Sequence, residues 1–379
     1  MNALTDLGRL PALELADWAF RHNPALIPVA GAPVLEMPEH VVDAVRVSAS
    51  RTHPRETQGA LSLRHAIAAM VRERDGVCVD PEHELLVAHG ATHALSVCLG
   101  SVCSPGDEII VPAPSYFFDG PIARAGAVPR HVAGTPGEAW ALDIAGIEAA
   151  VTARTRAILL CNPVNPTGRV LTSAELRAVI RIAGRHGALV IVDESFSHFV
   201  YDGAFVPISG FREEYPELVS VQSLTKNYAF ASWRVGYLVA SAERIRTATR
   251  CLEWEAIHVG AVPQAAAEAA LTGPRDWIDQ AIGQYPAKRS MMVGILRDAG
   301  FPVVTPAGGV AAFADFSVTG LRGRELERHL VDLGILALAG DRFHGPANHA
   351  RMLFGGDFPA IESTGHALMA SRTGLRTGH

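Results

Sequence analysis

The chain has 379 residues, enough for two domains or for one large domain with an annex. Apolar residues make up 49% and charged residues 19%, the balance of a globular protein with a sizeable core, which excludes a disordered chain. A net charge of -6 without a basic run speaks against nucleic acid or an anionic membrane surface as the main partner, and no stretch reaches the roughly 18 apolar residues of a membrane span. Five scattered cysteines, Cys78, Cys98, Cys103, Cys161 and Cys251, fit reduced thiols in a cytoplasm better than a disulfide framework. The N-terminal MNALTDLGRLPALELADW lacks a basic start followed by an apolar run, so no signal peptide is expected.

Helical and strand patterns alternate along the chain. Leu61 to Glu73 carries apolar residues at helical spacing and Gly76 closes it. Glu84 to Ala88 reads as a short strand, and Gly90 opens the next helix. Further apolar strands are expected at 108–112, 156–161, 188–193, 218–223 and 235–240. The best-marked helix starts at Thr172, where Thr172 and Glu175 have capping-box spacing and Gly184 and Gly187 flank its end. Strands as short and wholly apolar as AILLC and ALVIV suit a mostly parallel sheet covered by helices on both faces, so the fold class is α/β. After about residue 285 a long helix, the segment PVVTPAGGVAAFADF, a helix near 323–333 and a last strand around Arg351 follow. We expect a large domain over 46–285 and a smaller α+β domain formed by 1–45 and 286–379.

Only two of the 33 basic residues are lysines. Lys288, in a polar helical stretch beside Arg289, reads as a surface residue. Lys226 sits in SLTKNYAFASWRVGY, with Ser223 three residues before it and Arg234 eight after. Arginine stays charged, whereas an amine that loses its proton can condense with a carbonyl, so Lys226 is a candidate Schiff-base lysine. Open α/β sheets bind ligands beyond the carboxyl ends of their strands. Asp193 ends a predicted strand, Asn165 lies in the loop NPVNPTG, and Ser223 and Lys226 follow another strand. A phosphate beside Gly90 would meet the free N–H groups of Ala91 and Thr92 at a helix N-terminus, with Ser223 and Arg234 adding a hydroxyl and a guanidinium. On local grounds alone, Asp193 also suits a helix cap, Asn165 a turn and Tyr116 a core aromatic. No G-x-G-x-x-G, H-E-x-x-H or Cys/His cluster is present, so neither a dinucleotide nor a metal is expected.

The motifs HGATHAL, SPGDEIIVPAPSY, NPVNPTG, IVDESF, SLTKNYAFASWRVGY and ARMLF, in this order from about Gly31 to Arg351, resemble fold-type I, pyridoxal-phosphate-dependent enzymes of the class I/II aminotransferase family. The resemblance implies an aminotransferase-like three-layer sandwich, pyridoxal 5'-phosphate as cofactor, an amino acid and a 2-oxo acid as substrates, and a homodimer. It implies that Lys226 holds the cofactor as an aldimine and then moves a proton at the substrate α-carbon. It further implies that Asp193 keeps the ring nitrogen protonated, that Asn165 bonds the phenolic oxygen, and that Tyr116, or Phe117, stacks on the ring. Gly90, Ala91, Thr92, Ser223 and Arg234 would hold the phosphate. Arg351, with Asn165 and Gly31, would meet the substrate.

Two departures from the family pattern stand out. Phe196 occupies the place of a tyrosine whose hydroxyl usually bonds the phenolic oxygen, which the resemblance links to side branches that decarboxylate, eliminate, cyclise or oxidise instead of transaminating, some of them on arginine-like substrates. The stretch HPRETQG offers His53 and Arg55 where relatives carry a tyrosine that reaches the neighbouring subunit's phosphate. A regulatory domain without turnover is the third reading, but the 45 residues ahead of the large domain are too few for a winged helix and linker. One missing hydrogen bond to a charged oxygen is worth roughly 1.5–3 kcal/mol, or about one to two pKa units. Spectrophotometric pH titration is therefore expected to give a Schiff-base pKa above that of tyrosine-bearing relatives; an equal value refutes this unless Tyr201 or Tyr228 supplies the hydroxyl.

Overall fold

A computed structural model describes residues 8–50 and 53–376, with side chains through residue 370. Residues 1–7, on which part of the signal-peptide expectation falls, and 377–379 lie outside the described residues. The large sheet contains β1 (Leu85–Ala88), β2 (Glu108–Ala113), β3 (Val128–Ala133), β4 (Thr155–Cys161), β5 (Leu189–Asp193), β6 (Leu218–Ser223) and β7 (Gly236–Ala240), in the order β1-β7-β6-β5-β4-β2-β3. All neighbours are parallel except β7, which runs antiparallel to both β1 and β6. The expected strands are present. β3 was missed because its half-exposed sequence VPRHVA carries a proline and a charge, a composition tolerated at a sheet edge.

Alternate side chains of the buried strands feed separate layers, as the period-2 geometry of a strand requires. Ile109, Leu159, Ile191 and Val221 pack under the helices Ala91–Val102 and Ala242–Ala256. Ile110, Ile158, Val190 and Val192 pack against the helix Ser173–His186 on the opposite face. That helix has the capping box of Thr172 and Glu175, and Gly187 (φ 65°) ends it; Gly184 lies inside its last turn and does not flank it. At the β1 edge, Leu85, Val87 and Val239 pack with the helices Leu61–Asp75 and Ala261–Thr272.

The C-terminal part holds a three-stranded antiparallel sheet of β8 (Ala311–Asp315), β9 (Leu338–Ala339) and β10 (His349–Leu353), in the order β8-β10-β9. Helices Tyr285–Asp298, Gly323–Asp332 and Phe358–Arg376 accompany it. The N-terminal helix Pro11–His22 buries Leu15 and Ala19 against Phe313, Val331, Leu338 and Phe343. Helix Glu39–Ala49 instead sends Val41 into the cluster of Ala266, Ala267 and Ala270 beside the large sheet.

Lys288 is not the surface lysine expected. It is only 8% exposed, with Nζ 5.1 Å from the Tyr285 ring centre and 5.6 Å from that of Phe358, and burial lowers its pKa. Its polar sequence neighbours hid an amine folded between two aromatic rings, where attraction to the ring faces offsets part of the lost hydration.

Gly236 joins the sheet to the start of the helix after β1. A Cβ there would lie 2.6 Å from the Gly90 carbonyl carbon and 2.7 Å from both the Ala91 nitrogen and the Gln222 oxygen, all of them backbone atoms. Gly236→Ala is expected to destabilise the fold by about 1–3 kcal/mol; an unchanged thermal midpoint would contradict this close fit.

Candidate active site

The carboxyl ends of β1, β4, β5 and β6 point the same way, because only β7 is reversed. Asp193 is the last residue of β5, paired in register with Cys161 and Val221. Ser223 ends β6 and caps a single helical turn, Leu224–Asn227, that carries Lys226. Asn165 lies in the loop after β4, and Gly90 (φ 81°) turns the chain from β1 into the helix Ala91–Val102. These ends converge on a cavity of about 300 Å³ lined by Gly31, Ala91, Thr92, Tyr116, Asn165, Asp193, Phe196, Ser223, Lys226, Arg234 and Arg351. Every residue expected to hold the cofactor or the substrate thus reaches the cavity wall except Gly90, which lies directly behind it: a Cβ on Gly90 would be 2.6 Å from Arg234 Nη2.

The wall has two polar ends. At one, the first-turn N–H groups of Ala91 and Thr92 have no side-chain cap, as at any helix start without an Ncap side chain. Arg234 Nη1 donates to Thr225 Oγ1 at 3.2 Å, and Ser223 Oγ accepts from the Thr225 N–H at 3.0 Å. Arg234 holds a left-handed φ of 56°, uncommon for a residue with a Cβ and a sign that its position is imposed by its surroundings. At the other end, Arg351 Nη1 donates to Asn165 Oδ1 at 3.2 Å, while its buried Nε has no partner. The Arg351 guanidinium lies 4.9 Å from the Phe343 ring centre and 5.9 Å from that of Phe117.

Between these ends lie Asp193 and Lys226. Burial raises the Asp193 carboxyl, against the hydrogen bond from the Ser195 N–H to Oδ1 (2.9 Å) and the nearby Lys226 charge. Lys226 is lowered to about 8, first by burial and then by the charges of Arg351 and Arg234, with Asp193 opposing. Burial also lowers Arg351 to about 10. Tyr116 is raised by burial and by Asp193, with Arg351 and Arg234 pulling the other way, so its ring stands amid all three charges. Phe117 instead stacks on Phe343 at 5.0 Å, on the Arg351 side.

Phe196 presents its ring 5.7 Å from Lys226 Nζ. Neither tyrosine considered as a substitute for its missing hydroxyl lines the cavity: Tyr201 donates to the Gly309 carbonyl at 2.5 Å, and buried Tyr228 packs on His198. His53 and Arg55 do not line it either, and His53 is exposed. Sequence reasoning missed Thr225 and Ala12. Thr225 sits inside the S-x-x-K motif, and its place in the first turn after a strand was a usable signal. Ala12, brought in by the N-terminal helix, carried no signal.

The donor set fits pyridoxal phosphate on this structure's own terms. A dianion would satisfy two orphaned helix N–H groups and a guanidinium held at van der Waals limits against Gly90. A buried carboxylate with one oxygen free of protein donors suits a protonated ring nitrogen, and an amine lowered toward neutrality suits condensation with an aldehyde.

Residues 31–358 match the family described as aminotransferase class I and II, and the chain belongs to it. Members depend on pyridoxal phosphate, and this chain is an aminotransferase of that kind. It is 28% identical over 290 residues to a putative aminotransferase, YugH, of Bacillus subtilis, covering 76% of this chain and 75% of that one. It is 35% identical over 261 residues to a probable N-succinyldiaminopimelate aminotransferase of Mycobacterium tuberculosis, covering 68% of this chain and 66% of that one. The solved structure of the N-succinyldiaminopimelate aminotransferase from Mycobacterium tuberculosis superposes with a TM-score of 0.91 at 27% identity, over 98% of this chain and 99% of that one. Among the described residues no helix is long and apolar enough to cross a membrane.

Holding a lysine at about 8 where an unfolded one titrates at 10.5 penalises the cofactor-free fold. The penalty is absent above pH 10.5, grows as pH falls toward 8 and is constant below. Lys226→Met is therefore expected to stabilise the cofactor-free protein at pH 7 by about 1–3 kcal/mol, and the gain should shrink at pH 10. Thermal melts at the two pH values check it; equal or lower stability of the variant at pH 7 would contradict it.

Proposed function

We propose that the chain moves an amino group between an amino acid with a neutral, apolar side chain and a 2-oxo acid, with Lys226 as cofactor anchor and proton carrier. The observation that carries this is the meeting, in one cavity, of a lysine lowered to about 8, a buried aspartate and an arginine without a carboxylate partner among the described residues. Bound pyridoxal phosphate supplies an electron sink for the substrate α-carbon. Asp193 holds a proton at the ring nitrogen. Asn165, whose Oδ1 is taken by Arg351, has its amide N–H free to donate to the phenolic oxygen. Tyr116 covers one ring face. Ala91, Thr92, Ser223, Thr225 and Arg234 bind the phosphate, with Gly90 leaving room for the last. Arg351 grips the substrate carboxylate as a planar fork, beside Gly31 and Asn165. Lys226, once displaced from the cofactor, carries a proton between the substrate α-carbon and the C4' carbon.

The preference for an apolar side chain follows from the apolar part of the wall, where Ala12, Phe117, Val164 and Leu353 line the cavity. The relative from Mycobacterium tuberculosis is named for N-succinyldiaminopimelate, whose far end is polar, so selectivity here is expected to differ. We also propose a homodimer. Val34 and Ile257 are exposed and Trp254 is 93% exposed, apolar side chains of the kind a second copy would cover. Residues 46–285 form the cofactor unit in this reading, and 1–45 with 286–379 the smaller one, although helix Glu39–Ala49 spans that boundary and packs on the cofactor unit. Phe196 favours a second reading, in which the same cofactor ends in decarboxylation, elimination, cyclisation or oxidation, because neither Tyr201 nor Tyr228 restores the hydroxyl.

The test is a panel of the twenty amino acids with and without 2-oxoglutarate or pyruvate, followed by cofactor spectra and mass spectrometry. Conversion of the cofactor to its amino form, reversed by an oxo acid, is expected with apolar amino acids; release of carbon dioxide, ammonia or peroxide would favour the second reading. Lys226→Ala should abolish turnover, and multiple turnover in that variant would sink the assignment. Arg351→Gln should raise KM for the amino acid roughly ten- to hundredfold, the worth of a charge-assisted hydrogen-bonded pair.

A further inference from the structure

Behind the Arg351 end of the cavity lies a polar cluster that none of the steps above uses. Asp119 opens the helix Asp119–Arg124, His131 belongs to the edge strand β3, and His344 follows the turn Gly340–Phe343 that leads toward β10. The Asp119 carboxylate is shared: Oδ1 is 3.0 Å from His131 Nε2 and Oδ2 is 2.8 Å from His344 Nε2. The two imidazoles stack on each other, 3.5 Å between centres and 17° apart. Burial raises the Asp119 carboxyl, but the hydrogen bonds from both histidines outweigh it and hold the group well below the usual range.

The cluster ties together two loops that shape the carboxylate grip. Asp119 is two residues beyond Phe117, and His344 directly follows Phe343. Those two phenylalanines stack on each other and flank Arg351. The Ser115 N–H donates to the Phe343 carbonyl at 3.1 Å, and a Cβ on Gly345 would lie 2.9 Å from the Pro114 ring, so the loops are already in close contact. Arg351 itself has one hydrogen bond, to Asn165, and no ion pair among the described residues. Its direction therefore depends on the stacked rings more than on charge.

We propose that Asp119 is a positioning residue for substrate binding: by clasping His131 and His344 it locks the Phe117–Phe343 stack that aims Arg351 at the substrate carboxylate. The proposal rests on the reading of Arg351 given above. The three side chains also offer ligand atoms within 4.8 Å of one another, the spacing of a divalent cation site. A ligating histidine, however, needs a partner for its other ring N–H, and His131 Nδ1 is buried without one. As a donor through Nε2, the same ring leaves only a lone pair unmet, the smaller cost. Direct hydrogen bonds account for the arrangement without an ion.

The experiment is steady-state kinetics of the holoenzyme with the fastest amino acid of the twenty-member panel, alongside thermal midpoints and cofactor absorbance. Asp119→Asn keeps the shape but cannot accept from both imidazoles. His344→Asn suits the left-handed φ of 57° yet is too short to reach Asp119, whereas His344→Gln places an amide donor near the original Nε2. Asp119→Asn and His344→Asn are expected to raise KM roughly five- to thirtyfold, with kcat within about twofold and cofactor absorbance unchanged. His344→Gln should recover most of the loss. A merely structural role would instead lower the thermal midpoint and leave the KM of the folded fraction at the wild-type value. Arg351→Gln is the control: a raised KM there with wild-type KM in Asp119→Asn and His344→Asn overturns the clasp alone, and an unchanged KM in Arg351→Gln overturns both readings. EDTA and zinc chloride should leave wild-type KM unchanged; a zinc-dependent KM overturns the clasp in favour of an ion site.

Discussion

The site is organised by an imbalance of charge around one cavity. Lys226, Arg234 and Arg351 face one cavity, and among its described lining residues the only carboxylate is Asp193. Like charges gathered around one cavity favour anions there, and two places remain for them, one at each guanidinium. The same imbalance explains why the lysine between them is pushed toward its neutral form. An anion at either end would relieve part of that pressure, so the reactivity of the amine is linked to what occupies the two ends.

The large sheet supplies this arrangement cheaply in sequence terms. β4, β5 and β6 end on one side, and at or just beyond these ends stand Asn165, Asp193, Ser223 and Lys226, polar groups that would be unwelcome deeper in the sheet. These elements were legible because short apolar runs between glycines and caps leave little choice of period. The chemistry at their ends was legible because Asn165, Asp193, Ser223, Lys226 and Arg234 keep a fixed order and spacing. β3 was not legible, since an edge strand with proline and arginine has neither a continuous apolar run nor a clean alternation. The two-residue strand β9 was too short to show any period.

What the sequence hid most completely was proximity between distant segments. Ala12 reaches the cavity on a helix near the N-terminus, and Phe343 meets Phe117 across more than two hundred residues. Lys288 misled for a related reason: its neighbours in the chain are polar, but the surface that covers it comes from Phe358 on the C-terminal helix. Local pattern reports the solvent exposure of a segment, not of one side chain that turns inward along it. Thr225 lies at the boundary between the two cases, adjacent to recognised residues yet noticed only through its bond to Arg234.

The reversed strand β7 has a consequence for how the protein parts with its cofactor. Because β6 and β7 are joined directly, residues 224–235 form one excursion that leaves the sheet after Ser223 and returns before Gly236. Lys226 and Arg234 sit near its two ends, so the candidate anchor lysine and the candidate phosphate-binding guanidinium belong to a single flap of backbone. They cannot be loosened independently. A change in the path of this one hairpin would therefore move Lys226 and Arg234 together.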